Sequence, residues 1–402
     1  MTSTAELIGC ADCGRVQRVP AATRHVVAEC ACCGHSFEPP TRGNFDSALA
    51  YAIATLLLLL PPFLSPLLTI TSFGISRHDW LPSGARALWS DDFGSLATLV
   101  FLFSIVIPFL YLMLMIWVLS SLRAGATAAV GRIYRYASWL RPWLMIEVFL
   151  VGCCVAYTRL EKVGTVSIGV GGWCLIAACV TWIVFALKLD SHMVWDSLPA
   201  KSPTRAGEDT ISCGSCELLV DGRLELQDCP RCGAQLHRRK PGSMRRTTAL
   251  VIAGYLLYIP ANVIPVLSIE RFGREEPNTI LGGVHELIVN DLWPLAIVVF
   301  TASVVVPLMK LLGLTLMLLM TRMRSSRWLL SRTRLYRLID LIGRWSNIDL
   351  FMISLLVALV QFGTLSTVRP EPGAIAFAAV VVVTMVASRC FDARLMWDVT
   401  DG

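Results

Sequence analysis

Eight cysteines fall into four Cys-x-x-Cys pairs: Cys10/Cys13, Cys30/Cys33, Cys213/Cys216 and Cys229/Cys232. Spacers of 16 and 12 residues join the pairs two by two. That spacing can bring four thiolates to a tetrahedron, the pattern of a structural zinc ribbon. Metal binding would then supply the folding energy that so short a segment lacks. Four thiolates accept iron as readily as zinc, so the residues predict the site but not the metal. Redox-active thiols are the competing chemistry, and the doubled spacing favours structural clusters. Cys32 stands between two ligands and is expected to stay out. His35 and His237 flank the second knuckles as alternate ligands, although a solvated loop histidine is the plainer reading.

A second set of chemically capable residues stands inside long apolar runs. These are Glu147, Lys310 and Asp349, joined by Ser303, Ser346, Thr384 and Asn262. Ionisable groups at membrane depth are costly and commonly face a bundle interior, a water-filled path or each other. Ser303 lies seven residues before Lys310, and Ser346 three before Asp349, so each shares a helical face with its charged neighbour. The expectation is a polar cluster in which Lys310 and Asp349 pair and exchange protons, coupling movement to a gradient. The opposing expectation is that Lys310 snorkels and Asp349 anchors a span end.

The elements that must position these residues are read from composition. A mean hydropathy of +0.63, with 55% hydrophobic and 16% charged residues, excludes an ordinary soluble protein of 402 residues. The apolar runs reach the length that crosses a bilayer as helix. The reading is an all-α integral membrane protein with eight spans: about Phe45–Ile70, Phe93–Leu122, Pro142–Tyr157, Val166–Leu187, Arg246–Ile269, Asp291–Thr321, Trp345–Thr364 and Gly373–Cys390. Prolines 61, 62 and 66 should break the first span near its end. Segment 71–93, with Trp80, Leu81, Leu88 and Trp89, suits an interfacial helix. The first 40 residues are polar rather than an h-region, which predicts no secretory signal.

The chain also repeats itself. An offset of 199 maps Cys30 onto Cys229, Pro61 onto Pro260, Pro66 onto Pro265 and Pro108 onto Pro307; after a three-residue slip, 202 maps Tyr134 onto Tyr336, Glu147 onto Asp349 and Trp195 onto Trp397. Two tandem modules are expected, each a zinc ribbon followed by a four-helix transmembrane bundle. Their boundaries are 1–42 for the first ribbon, 43–198 for its bundle, 199–240 for the linker and second ribbon, and 241–402 for the second bundle. Loops between second and third spans carry four arginines in one copy (Arg123, Arg132, Arg135, Arg141) and seven in the other. The positive-inside rule then places those loops, both ribbons and both termini in the cytosol. Bilayer orientation accounts for these arginines without a nucleic-acid partner. No G-x-x-x-x-G-K-[ST], H-E-x-x-H or G-x-S-x-G occurs, so an enzyme is not expected.

The combination resembles the paraquat-inducible protein A (PqiA) family, LetA/YebS-type members included. The likeness rests on a four-cysteine ribbon before four spans, twice over. It also rests on the IPANVIPVL stretch, the Arg-Trp-Ser-x-x-Asp run Arg344–Asp349, and a closing (L/M)-x-W-D. The first copy departs from it, with PPFLSPLL for IPANVIPVL and Glu147 for the aspartate. The resemblance implies a non-enzymatic bacterial inner-membrane subunit that moves membrane lipid together with a periplasmic MCE-domain tunnel protein. It implies that Ser303, Lys310, Ser346, Asp349 and Thr384 form the coupling site. Two readings from other classes compete: a stand-alone secondary transporter of a small solute, and a membrane-tethered redox or metal sensor.

Overall fold

In a computed structural model of the chain, the described residues are 6–19, 28–37, 44–72, 74–125, 129–161, 164–200, 210–271, 274–289, 291–361 and 366–398. The termini, much of the linker after residue 200, and part of the predicted seventh span lie outside them.

The first half begins with helix α1 (Phe45–Leu58), which Asn44 caps by accepting from the Asp46 amide. After a short helical turn over Pro61–Leu64 come strands β1 (Leu68–Ser72) and β2 (Ile75–Asp79), then α2 (Ser83–Ser90). A long helix, α3, runs Gly94–Arg123; α4 (Val130–Leu140) and α5 (Ile146–Leu160) follow, then β3 (Thr165–Ile168) and α6 (Val170–Lys188). The second half gives the same order. It comprises α7 (Ser243–Val263), β4 (Leu267–Arg271), β5 (Arg274–Asn278), α8 (Ile280–Val289), α9 (Trp293–Arg322), α10 (Leu329–Ile342), α11 (Ile348–Leu359), β6 (Ser366–Pro370) and α12 (Pro372–Cys390).

Two three-stranded antiparallel sheets, ordered β2–β1–β3 and β5–β4–β6, correct the all-α expectation. Ile70 pairs with Arg77 and Val166, and Ile269 with Glu276 and Val368. Residues assigned to the ends of the first, fourth and fifth spans are therefore strands. The cause is local: prolines at 66 and 265 stop the helix, and β-branched residues follow. Pro277 is tolerated because β5 is an edge strand. Segment 71–93 is half as expected, since α2 carries a buried Leu88 and an exposed Trp89 but a strand precedes it.

Each last helix starts hard against its sheet. The Gly171 amide donates to Pro66 O and the Gly373 amide to Pro265 O, both at 3.0 Å. A Cβ on Gly373 would meet Pro265 O at 2.3 Å. Only glycine allows that approach.

Among the described residues six helices are long and apolar enough to cross a membrane: Phe45–Leu64, Gly94–Arg123, Val130–Leu160, Val170–Lys188, Trp293–Arg322 and Pro372–Cys390. Two of the eight expected spans fall short of that measure. Helix α7 opens on Arg245 and Arg246, and α11 is 12 residues long. The arginine "loops" are in fact amphipathic helices, α4 and α10, with buried residues on one side only.

Helices α3 and α9 each carry one wide π-type turn, at Leu102–Val106 and Thr301–Val305. Pro108 and Pro307 lack the amide that the carbonyls of Ser104 and Ser303 would receive, and a π turn re-spaces the ladder around that gap. In the second half the Tyr258 hydroxyl donates to Val304 O at 3.3 Å within the same turn. The two halves meet through α5 and α11. Phe149 and Phe351 pack edge to face with centroids 5.2 Å apart. A Cβ on Gly152 would lie 3.0 Å from Phe351 Cβ.

Candidate metal centres and membrane-embedded polar site

The metal ligands come from four knuckle turns. In three of them glycine follows the second cysteine with positive φ (Gly14, Gly34, Gly233), and Glu217 holds that place in the fourth. The Gly14 amide donates to Cys10 O at 2.9 Å, closing the turn. Short hairpins, Glu6–Gly9 with Val16–Val19 and Thr210–Ser212 with Leu219–Asp221, present the first knuckle of each cluster at their turns.

Cys10 and Cys33 sulfurs stand 3.4 Å apart and Cys13 and Cys30 3.6 Å; in the second cluster Cys213–Cys232 is 3.7 Å and Cys216–Cys229 3.6 Å. A tetrahedral metal with bonds of about 2.3 Å to sulfur needs edges of about 3.8 Å. A disulfide would need about 2.05 Å. Both buried four-cysteine clusters therefore fit a structural metal such as zinc. Hydrogen bonding by Cys13 pulls Cys10 down to about 5, and by Cys216 pulls Cys213 down to about 7. The same bonds push the partner thiols Cys13 and Cys216 up, so each cluster shares protons among its sulfurs, and a metal would displace them on binding. Cys32 is only half-buried and outside the cluster, as expected. His35 is not a ligand of the first cluster; its Nδ1 lies 3.0 Å from Asp12 Oδ2.

The ribbons dock where the sequence gives no hint. The first ribbon precedes the first half in the chain but packs on the second. Arg337 of α10 donates Nε to Asp12 Oδ2 at 2.7 Å, with its terminal nitrogen 2.6 Å away. Arg394 Nε donates to Ala11 O at 3.1 Å. The four cysteines join a core with Leu311, Leu329, Ile339 and Trp397. The second ribbon rests on α4: a Cβ on Gly131 would overlap Arg231 O at 2.0 Å. Gly9 lies against Leu219 and Ser212, so the two ribbons touch.

At membrane depth, Lys310 on α9 is 1% exposed, and its Nζ donates to Gly343 O at 2.8 Å. Asp340, one turn earlier on α10, is the carboxylate that acts on it electrostatically. Ser303 and Thr384 are buried, Thr384 donating to Val381 O of its own helix at 3.0 Å. Asn262 is turned to its own helix, Nδ2 donating to Tyr258 O at 2.8 Å. The side chains of Ser346 and Asp349 lie outside the described residues, and with them the expected Lys310–Asp349 pair. Their backbone is a 3-10 turn (Gly343–Asn347) leading into α11.

Glu147 lies across the junction of the halves. Its Oε1 accepts from Trp182 Nε1 at 2.9 Å, while Oε2 is buried without a partner. It lines a cavity of about 190 Å³ with Arg141, Trp182, Asp340, Gly343 and Arg389. Gly343 thus links the cavity to Lys310. Of this group the sequence singled out Glu147 and Lys310; Asp340 and Gly343 carried no pattern that would have marked them.

Among the described residues outside the spans one acid is fully enclosed. Asp79, the last residue of β2, has 0% exposure and no hydrogen bond to either carboxylate oxygen. Burial pushes its carboxyl up to about 8; Ser83 offsets part of that without meeting hydrogen-bond geometry. At the equivalent place in the repeat stands Asn278, which pairs with Leu267 as Asp79 pairs with Leu68.

A polytopic membrane protein with two four-thiolate clusters and a doubled element order is the class so defined. The chain belongs to the paraquat-inducible protein A family, which it matches twice, over residues 45–199 and 244–401. It is 30% identical to the intermembrane transport protein PqiA of Escherichia coli K12, covering 98% of this chain and 96% of that one. It is 28% identical to the lipophilic envelope-spanning tunnel protein A of the same strain (97% and 90%), and 25% to a probable intermembrane transport protein of Haemophilus influenzae (98% and 97%). No solved structure matches it.

Proposed function

We propose that this protein is a bacterial inner-membrane subunit of an intermembrane phospholipid transport system, passing lipid to or from a periplasmic MCE-domain tunnel protein. The observation that carries this reading is the likeness, over nearly the whole chain, to relatives named for intermembrane transport and an envelope-spanning tunnel. A buried lysine in a membrane-length helix adds a mechanism. Lys310 can hold or release a proton beside Gly343 and Asp340, so the polar cluster would couple lipid movement to the proton gradient.

In this reading α7 and α11 also cross the membrane. They hold the places of α1 and α5 in the repeated order, and together with the six longer helices they give two four-span bundles. An even count returns the chain to one side, which agrees with two ribbons that touch each other and the arginine-bearing helices. The positive-inside rule makes that side cytosolic, termini included. Cys10, Cys13, Cys30 and Cys33 would hold one zinc, and Cys213, Cys216, Cys229 and Cys232 the other. The metal acts as a structural clamp that closes each ribbon, with no part in lipid movement. Nucleic acid is not expected among the partners, because bilayer orientation and ribbon contacts such as that of Arg337 account for the arginines.

The test is co-purification and transfer. The tagged chain should bring down an MCE-domain protein, and the pair should move labelled phospholipid between vesicle populations. A chain that transports a small solute alone and binds no such protein would defeat the reading.

A further inference from the structure

Helix α2 and the opening turns of α3 enclose a groove of about 520 Å³. That size falls within the ~300–1,000 Å³ of sites that take small molecules. Helix α4, on which the second ribbon rests, follows the far end of α3, so the groove lies at the end remote from that ribbon. Ala85 and Ala97 are buried in its floor, while Trp89 and Phe101, 65% and 44% exposed, stand in its walls. Two wall hydroxyls are turned to their own helices, Ser90 Oγ donating to Ala87 O and Thr98 Oγ1 to Gly94 O, both at 2.7 Å. The groove therefore offers an occupant apolar surface and one charge, the exposed guanidinium of Arg86. Among the described residues no acid pairs with that guanidinium, and the cation that acts on nearby Asp91 is Arg369. The other side of α2 is already closed. Leu88 is fully buried there, and a Cβ on Gly84 would meet Ser354 O of α11 at 3.0 Å. With its core face satisfied in this way, α2 holds Arg86 and Trp89 out beside a membrane-length helix.

We propose that this groove holds one acyl chain of a phospholipid, with the lipid phosphate on Arg86. Phe101 stands about 10 Å beyond Gly94 along α3, so the chain lies beside the span while the phosphate stays near its end. A guanidinium grips a phosphate through two parallel hydrogen bonds. No lining side chain offers a second charge to the alcohol beyond that phosphate, so the site takes phospholipids of any headgroup and rejects a lipid without phosphate. The site rests on the lipid-transport reading and names where on this chain a lipid is held, at the end of α3 away from α4.

The test uses the full-length protein in nanodiscs doped with a phosphatidylcholine that carries a photoactivatable diazirine on one chain. Labelled positions are mapped by peptide mass spectrometry. Phe300 is the internal control: it holds the place of Phe101 in the repeat and is 37% exposed, with His285 where Arg86 stands. Phe101 should carry about three times the label of Phe300, as expected when one exposed charge-assisted contact holds the lipid. Arg86→Gln should remove that excess and leave Phe300 unchanged. The same diazirine chain on diacylglycerol, which has no phosphate, should label both phenylalanines alike. Thr98→Trp, at an exposed position, should fill the groove and bring Phe101 down to the level of Phe300. Equal labelling of the two in the unaltered protein means boundary lipid only and overturns the inference, with no variant needed. An excess at Phe101 that survives both Arg86→Gln and loss of the phosphate overturns it as well. Labelled-lipid transfer between vesicles separates the two claims. Transfer without an excess at Phe101 removes the site and leaves the transport reading, whereas the excess without transfer does the reverse.

Discussion

At the scale of residues, the chain concentrates its unusual chemistry in a few buried polar groups. Lys310→Met replaces the amine by an apolar side chain of similar length. The change leaves the buried Gly343 carbonyl without its donor, at a cost of about 1–3 kcal/mol, small for a chain of this size. Lipid transfer should therefore drop tenfold or more while the thermal midpoint moves by only a few degrees. Unchanged transfer would remove Lys310 from the mechanism. Asp79 gives a pH prediction with a fixed sign. Its folded pKa of about 8 lies above the ~3.9 of an unfolded aspartate. Between those values the folded chain keeps a proton that the unfolded chain has lost, so stability falls as pH rises and levels off above about pH 8. Asp79→Asn, which copies Asn278 of the repeat, should raise the melting midpoint more at pH 8.5 than at pH 5. Parallel midpoint curves for the two proteins would contradict the assignment.

At the scale of elements, two contacts are open to direct perturbation. Gly373→Ala drives a methyl into the Pro265 carbonyl, where backbone must move, and a loss of about 3 kcal/mol is expected in chemical unfolding. Gly283→Ala, with only an arginine terminus at 3.8 Å, should be neutral and serves as its control. Arg337→Ala should loosen the first ribbon from α10. Arg337 is about a third exposed, so the expected cost is only about 1 kcal/mol, and faster proteolysis between the ribbon and α1 is the sensitive readout. Much of this layer was legible. Cysteine spacing located both clusters, apolar length located most spans, and the proline-matched offset located the repeated order. The sheets were missed because short β-branched runs beside apolar helices, such as Leu68–Ile70, look like the helix continuing. Asp340 and Gly343 were missed because a site that closes across two halves has no spacing rule along one chain. The crossed docking of the ribbons was missed for the same reason.

At the scale of the whole molecule, the metal clusters and the membrane core form one object. The first cluster shares a core with Leu329 and Ile339 of α10, and α10 also carries Asp340 beside Lys310. Elemental analysis should find two metal ions per chain. Chelation should release both and raise the protease sensitivity of both ribbons, and retention of full protease resistance would show that the thiols hold no structural metal. Apart from its touch on the second ribbon at Ser212 and Leu219, the first ribbon rests on elements from Leu311 onward, so most of its seat is missing until most of the polypeptide exists. At about 5–20 residues per second, roughly 15 to 60 seconds separate synthesis of the ribbon from synthesis of its seat. During that interval it must wait as a free-standing knob, and metal delivered early would be all that keeps it shaped. Assembly of this protein in the cell is therefore finished by the return of a segment made long before the seat it occupies.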